Sequence, residues 1–272
     1  MLSRWLGRMA DRLILCPTTH AIEVTDRRCL PLTVGEDRVE VWEHDVGPVD
    51  RKTDVLVLKF PGTGGRAEYS TDQPACFWPE LRARLWTVNP PGYGGSTGRA
   101  SLVKLAPTAR KVFEQGKREA AGRPLVLFAN SLGGLCALYL AARFPVDGLI
   151  LRNPPPLRQI IMARFGWRTG LLGARLIAGQ VPEELDSLVN APRVLAPAVF
   201  LMSERDTIVP PKYQRLIHQA YGGPKKVVPL KNASHATSLT PDDVSAYQES
   251  LAWLWSSIVA SRTSSKSDSD HR

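Results

Sequence analysis

The ten residues Leu125-Val126-Leu127-Phe128-Ala129-Asn130-Ser131-Leu132-Gly133-Gly134 constrain this chain more than any other stretch. A short apolar run ends in one serine flanked by small residues, and a helix-forming stretch follows at once. That is the layout of a nucleophile elbow, where a strand turns sharply into a helix and projects the serine oxygen outward. The turn strains the serine backbone and brings neighbouring residues close, so the positions two before and two after must be small. They are Ala129 and Gly133. Glycine is usual at both, and alanine adds only one methyl. As a bare string the pattern is weak; its weight comes from what lies downstream.

Two partners follow in chain order. Ala198-Val199-Phe200-Leu201-Met202-Ser203 reads as a buried strand and leads into a loop carrying Asp206. Lys226 to Lys231 reads as another strand and leads into Asn232-Ala233-Ser234-His235. The C-terminal ends of parallel strands gather on one sheet edge, so Ser131, Asp206 and His235 can meet there although they are far apart in sequence. The chemistry then divides in a familiar way. Ser131 attacks an acyl carbon, His235 takes its proton and returns it to the leaving group, and Asp206 orients and stabilises the imidazolium.

With these motifs the chain resembles the α/β-hydrolase superfamily, and within it the abhydrolase-domain and serine-aminopeptidase-like branch. The resemblance spans roughly residues 30 to 260 and includes two further motifs. Phe60-Pro61-Gly62-Thr63-Gly64-Gly65 matches the family's oxyanion loop after the third strand. Asn89-Pro90-Pro91-Gly92-Tyr93-Gly94-Gly95-Ser96 matches its Asp-x-Arg-Gly-Tyr-Gly-x-Ser turn after the fourth. Asn89 stands where the family usually has Asp and Pro91 where it often has Arg. That turn reads as structural, with Tyr93 packed beneath the site edge.

An oxyanion needs donors already aimed at it. Leu132 supplies one backbone N–H at the start of the helix after the elbow, where free amides favour an anion. The family alignment implies the second, from Thr63, with glycines allowing close approach to the substrate. Pro61 replaces the family's frequent histidine, which removes a side chain and leaves the Thr63 amide intact. Gly62 to Gly65 could instead be a phosphate-cradling loop or a plain turn, but the Gly-Lys-Ser/Thr ending of a nucleotide loop is missing.

A chain of 272 residues can hold one large α/β domain. Apolar runs at Val55–Phe60, Leu85–Asn89, Leu125–Asn130, Gly148–Leu151, Val199–Ser203 and Val227–Leu230 alternate with helical stretches. That predicts a mostly parallel sheet of about eight strands covered on both faces. Leu30–Val34 and Val39–His44 alternate better, as an opening antiparallel hairpin would. Helices are expected near 74–84, 101–119, 132–142, 211–220 and 241–260. Residues 30–152 and 196–260 form the core in this reading.

Residues 153–195 differ. Pro154-Pro155-Pro156 opens the segment, and Phe165, Trp167, Leu171, Leu172, Leu176 and Ile177 follow among Arg158, Arg164, Arg168 and Arg175. In the family this is where cap segments are inserted, so a small helical cap is expected. Its apolar side chains either line the acyl pocket or pack the cap onto the body. Residues 1–29 form an amphipathic segment in which Leu2, Trp5, Leu6, Met9 and Leu13 oppose Arg4, Arg8 and Arg12. It reads as a terminal helix docked on the domain, with peripheral membrane contact as the alternative. It is too short and charged to span a bilayer and lacks a secretory cleavage site. Residues 261–272 are polar and expected to be disordered.

The net charge of +9 could favour anionic membranes or substrates, and no basic-aromatic module points to nucleic acid. Cys16, Cys29, Cys76 and Cys136 show no paired spacing, so neither a metal site nor a disulfide framework is implied. Of the histidines only His235 holds a motif position; His20, His44, His218 and His271 lack metal spacing. The sequon at Asn232 abuts the proposed base and is discounted. The resemblance implies a cofactor-independent, cytoplasmic serine hydrolase that acts on a small acyl substrate, a carboxylic ester. A thioesterase or an aminopeptidase would use the same triad, and a non-catalytic binding protein on the same fold is the other alternative.

Overall fold

Val55–Phe60 is covered at every position, as a strand with helices on both sides must be, and it forms β3 near the middle of an eight-stranded sheet. The others are β1 (Arg28–Val34), β2 (Asp37–Val46), β4 (Ala83–Asn89), β5 (Leu125–Asn130), β6 (Gly148–Arg152), β7 (Ala198–Ser203) and β8 (Lys225–Leu230). The computed structural model describes residues 2–166 and 170–269, with side chains from Leu6 to Ser264 within those bounds. Trp167, Arg168, His271 and the side chains of Leu2, Arg4 and Trp5 lie outside what is described. The spatial order is β1-β2-β4-β3-β5-β6-β7-β8. β1–β2 and β2–β4 are antiparallel, and every later pair is parallel. This is the expected α/β architecture with its opening hairpin.

The helices are α1 (Leu2–Leu15), α2 (Leu102–Ala120), α3 (Gly133–Ala141), α4 (Leu157–Phe165), α5 (Gly170–Ala178), α6 (Ser187–Asn190), α7 (Pro211–Ala220) and α8 (Pro241–Ser269). Alternation along the strands divides the core in two. Leu56, Leu58 and Phe60 pack with α2 and α3 on one face. Val55 and Val57 pack with Tyr247, Leu251, Leu254 and Ile258 of α8 on the other.

Two expectations need correction. No α-helix spans residues 74–84: a single 3-10 turn covers Ala75–Phe77, and Ala83 already belongs to β4. Pro79 supplies the reason, because it has no N–H and its ring drives the preceding Trp78 out of helical geometry, to φ −118°. The polar tail is helical as far as Ser269. Arg262 anchors that stretch to Asp147 at 2.6 Å, and the hydroxyls of Ser261 and Thr263 donate to the carbonyls of Ile258 and Val259.

The α1 helix is docked on the domain. Ala10 and Leu15 are buried, and Asp11 accepts from the Leu102 amide at 2.8 Å while pairing with Arg99 at 2.6 Å. Asp11 therefore caps α2, a job that Ser101 leaves undone. The Leu15 carbonyl accepts from the Gly64 amide at 3.0 Å and from the Tyr93 hydroxyl. Tyr93 is buried, and through that carbonyl it holds the end of α1 against the loop after β3.

Asn89 explains its own departure from aspartate. Its Oδ1 accepts from Ala67 N at 2.8 Å, and its Nδ2 donates to Glu68 at 2.8 Å and Glu40 at 3.2 Å. A carboxylate there would put a third negative group beside two. Asn89→Asp should lower unfolding free energy by about 3 kcal/mol in urea titrations at pH 7. An unchanged midpoint would mean that this network does not hold the turn.

Candidate active site

Ser131 has φ +46°, a left-handed backbone that a serine adopts only when its surroundings compel it. Its amide donates to the Arg152 carbonyl at 2.8 Å, which continues the β5–β6 ladder one residue past the strand. The chain then enters α3. Gly133 makes that entry feasible, because a Cβ there would lie 2.0 Å from the Phe60 carbonyl oxygen. The elbow thus seats directly on the loop that leaves β3.

Asp206 follows β7, is almost fully buried and is surrounded by donors. Its Oδ1 accepts from the amides of Ile208 and Val209, both at 2.8 Å. Its Oδ2 accepts from His235 Nδ1 at 2.7 Å and from Gln214 Nε2 at 3.3 Å. A carboxylate only accepts, so Nδ1 carries the proton and Nε2 is left free to act as base. A backbone link from Arg205 N to Ala233 O, 3.0 Å, joins the acid and histidine loops.

Ser131 and His235 line the same cavities, although no hydrogen bond joins them among the described residues. The geometry therefore brings Asp206 and His235 into contact, and Ser131 borders the same cavities as His235. Thr63 and Leu132 border one of these cavities, and their amides donate to no group among the described residues. Two free N–H groups beside a serine are what a developing oxyanion requires.

Several residues that shape the site carry no motif. Asn153, at φ +49° and buried, receives the Ser203 amide on Oδ1 at 2.9 Å. Its Nδ2 donates to Ser203 Oγ at 3.1 Å and to the His235 carbonyl at 3.3 Å. Asparagine tolerates the left-handed region, so one side chain braces the ends of β7 and the histidine loop together. Gln214 of α7 does the same for Asp206, while its Nε2 also donates to the Val209 carbonyl at 2.7 Å. The only hint in the sequence was a polar pair, Arg152-Asn153, ending an apolar strand.

Other side chains take structural places. Cys136 lies inside α3 among apolar neighbours, and burial pushes its thiol up to about 12, which leaves no thiolate for chemistry. Lys59 is buried over the Phe128 ring at 5.1 Å, and burial brings its ammonium down to about 7. Its Nζ donates to the Thr71 carbonyl.

A cavity of about 380 Å³ opens on Ser131 from one side. Leu13 and Ile14 of α1 wall it together with Leu157, Ile160 and Ile161 of α4. Within the 153–195 segment, α4 lines this cavity, while the buried Ala174 and Ile177 of α5 are turned into the protein. The contribution of α1 to this wall was not legible in the sequence.

A doubly covered, mostly parallel sheet with a serine on a strained strand-to-helix turn and a paired acid and histidine beyond it defines a class. The chain belongs to the alpha/beta hydrolase family, whose model matches residues 40–247. It is 26% identical over 231 residues to an uncharacterized membrane protein of Saccharomyces cerevisiae, covering 81% of this chain and 79% of that one. Among solved structures it is similar to Est1E of Butyrivibrio proteoclasticus, described with ferulic acid bound. That match has a TM-score of 0.67 and 15% identity over 85% of this chain and 99% of that one. An esterase of Pyrococcus furiosus matches with a TM-score of 0.63 and 13% identity over 89% and 98% of the two chains. At these identities the likeness is one of fold. No helix among the described residues is long and apolar enough to cross a membrane.

Proposed function

We propose that the protein is a serine hydrolase that cleaves a carboxylic ester through an acyl-enzyme. The observation that carries this reading is the 2.7 Å Asp206–His235 contact, facing a cavity that also holds Ser131 and the free amides of Thr63 and Leu132. Ser131 Oγ attacks the acyl carbon as His235 Nε2 takes its proton, and the carbonyl oxygen becomes an anion held by the two amides. The C–O bond to the alcohol then breaks, and the leaving oxygen receives the proton from His235. Water repeats the sequence, giving up a proton to His235 as it attacks and releasing the carboxylic acid and Ser131. No cofactor is needed for any of these steps.

The apolar cavity suits the acyl chain, with α4 and α5 acting as a small cap over it. A fluorophosphonate probe should label the wild type and not Ser131→Ala. On p-nitrophenyl esters of rising chain length, kcat/KM should climb while methylenes fill the cavity and fall once it is full. Labelling that persists in Ser131→Ala, or no labelling of the wild type, would remove the assignment and leave a binding protein on a hydrolase fold.

The same reading places the protein in the cytoplasm, in peripheral contact with a membrane. Its cysteines are free among the described residues, which suits a reducing compartment. Leu13 and Ile208 at the cavity mouth are exposed, as are Leu171, Leu172 and Leu176 on α5, which packs against α1. Arg8 and Arg12 are exposed on the same helix α1, so basic side chains accompany the apolar ones there. The yeast relative's description as a membrane protein supports this reading. Vesicles containing anionic lipid should sediment the wild type, and L171D/L172D should stay in solution. Equal sedimentation of both would remove the membrane contact and leave the ester chemistry standing.

A further inference from the structure

A second cavity, of about 280 Å³, borders Ser131, and its walls are polar: Asn130, Arg152, Asn153 and His235 beside Gly62 and Thr63. That volume corresponds to roughly nine waters, enough for a small alcohol. Arg152 ends β6 and pairs in register with Asn130 of β5, the residue before the nucleophile. Their side chains share the α8 face of the sheet with Phe128 and Ile150. The same ladder that positions Ser131 therefore fixes the backbone of Arg152 beside it.

Arg152 lacks the partner that its burial calls for. Its Nη2 donates to the Thr237 carbonyl, while Nε is buried without an acceptor. Among the described residues Nη1 donates to no protein group, and Asp206 and Asp243 act on Arg152 only at longer range. Asn130 Oδ1, in the neighbouring strand position, is also buried and unpartnered. Arginine does not shed its proton in response, so the charge stays. A mostly buried cation without an anion is costly, and the cavity beside it supplies the space for one. The two cavities around Ser131 then differ in kind: mainly aliphatic side chains line one, with the exposed Arg164 held by the Thr207 carbonyl, and the mostly buried, anion-free guanidinium of Arg152 lines the other.

We infer that this second cavity is the leaving-group subsite and takes an alcohol bearing an oxyanion, a phosphate or a carboxylate, with Arg152 as its counter-charge. The inference rests on the ester-hydrolase reading for its orientation, since the acyl chain occupies the aliphatic cavity. A guanidinium fork matches both anions in two-point fashion. Arg152 also steadies the histidine loop through Thr237, so simple loss of activity in a variant would not separate the two roles. The ratio between substrates does.

The test compares butyryl esters of glycerol, glycerol 3-phosphate and lactate on the wild type, Arg152→Gln and Arg152→Lys. The wild type should favour at least one anionic ester over the neutral one by about tenfold or more in kcat/KM, the size of one charge-assisted hydrogen bond. The anion that gains more identifies the natural leaving group. Arg152→Gln should erase that ratio, and Arg152→Lys should retain part of it. Equal kcat/KM on all three esters in the wild type, or an equal fall on all three in Arg152→Gln, would overturn the inference and leave Arg152 as a brace for Thr237. Calorimetric titration with glycerol 3-phosphate and lactate reads the subsite without turnover. Binding of either by the wild type and not by Arg152→Gln supports it even if no ester is cleaved, in which case only the hydrolase reading fails. Binding of neither overturns it.

Discussion

Asp206→Asn should lower kcat/KM for a p-nitrophenyl ester by about 10⁴-fold while leaving a folded protein. The geometry separates the two effects. Asparagine can keep its amide oxygen at the Oδ1 position, where the Ile208 and Val209 amides donate, so the loop after β7 retains its turn. Its amide nitrogen must then replace Oδ2, facing His235 Nδ1 and Gln214 Nε2, and a donor there meets donors. The imidazole responds by moving its proton to Nε2, which removes the lone pair that should accept from Ser131. The stability cost is about 2 kcal/mol, because the buried Gln214 amide also loses an acceptor. Steady-state kinetics together with a thermal melt check both numbers. Activity within tenfold of wild type would show that Asp206 does not orient the base, whatever its contact with His235 looks like at rest.

Features that depend on neighbours in sequence were legible, and those that depend on distant contacts were not. Uninterrupted runs such as Val55–Phe60 and Leu125–Asn130 announce strands buried on both faces, and their ends in the structure coincide with the apolar stretch. Ser131 could be singled out because the strained turn limits residue size nearby, and Asp206 and His235 because each sits just past a strand. The structure sets these last two in direct contact. Nothing local marks the Leu15 carbonyl as the acceptor for Gly64 and Tyr93, since it lies 49 and 78 residues away from them. Asn153 gives no more than the hint of its polar pair with Arg152 and Gln214 none, because a polar residue near a strand end or in a helix has many ordinary uses. The failed helix over 74–84 shows the opposite error. Pro79 outweighs a helix-compatible composition, and the chain needs that length to return to β4. Arg152 belongs with Asn153 and Gln214: its want of a partner is a property of the space around it.

Gly133→Ala tests the mechanical premise beneath all of this chemistry. The added methyl would lie 2.0 Å from the Phe60 oxygen and 2.7 Å from the Pro61 oxygen. Both are backbone atoms, one at the end of a central strand, so neither can swing aside as a side-chain tip would. Either α3 tilts away from the sheet or the Phe60–Pro61 segment moves outward. A tilt strips contact from the buried Leu135, Leu138 and Leu140, and an outward shift carries the Thr63 amide away from the oxyanion position. Each route has its own readout. The first predicts a loss of about 3 kcal/mol in stability. The second predicts a fall of about 10²–10³ in kcat with little change in KM, because the missing donor acts mainly in the transition state. Gly148→Ala is the matched control. It is equally buried under a helix, but the nearest atoms to its new methyl would be side-chain ones, Cδ1 of Ile258 and of Leu254 at 3.0 and 3.1 Å, which can shift where a backbone oxygen cannot. The control should keep both its melting temperature and its kcat nearly intact. If Gly133→Ala behaves like that control, the elbow is not wedged against the β3 loop, and the serine's exposure must have another cause.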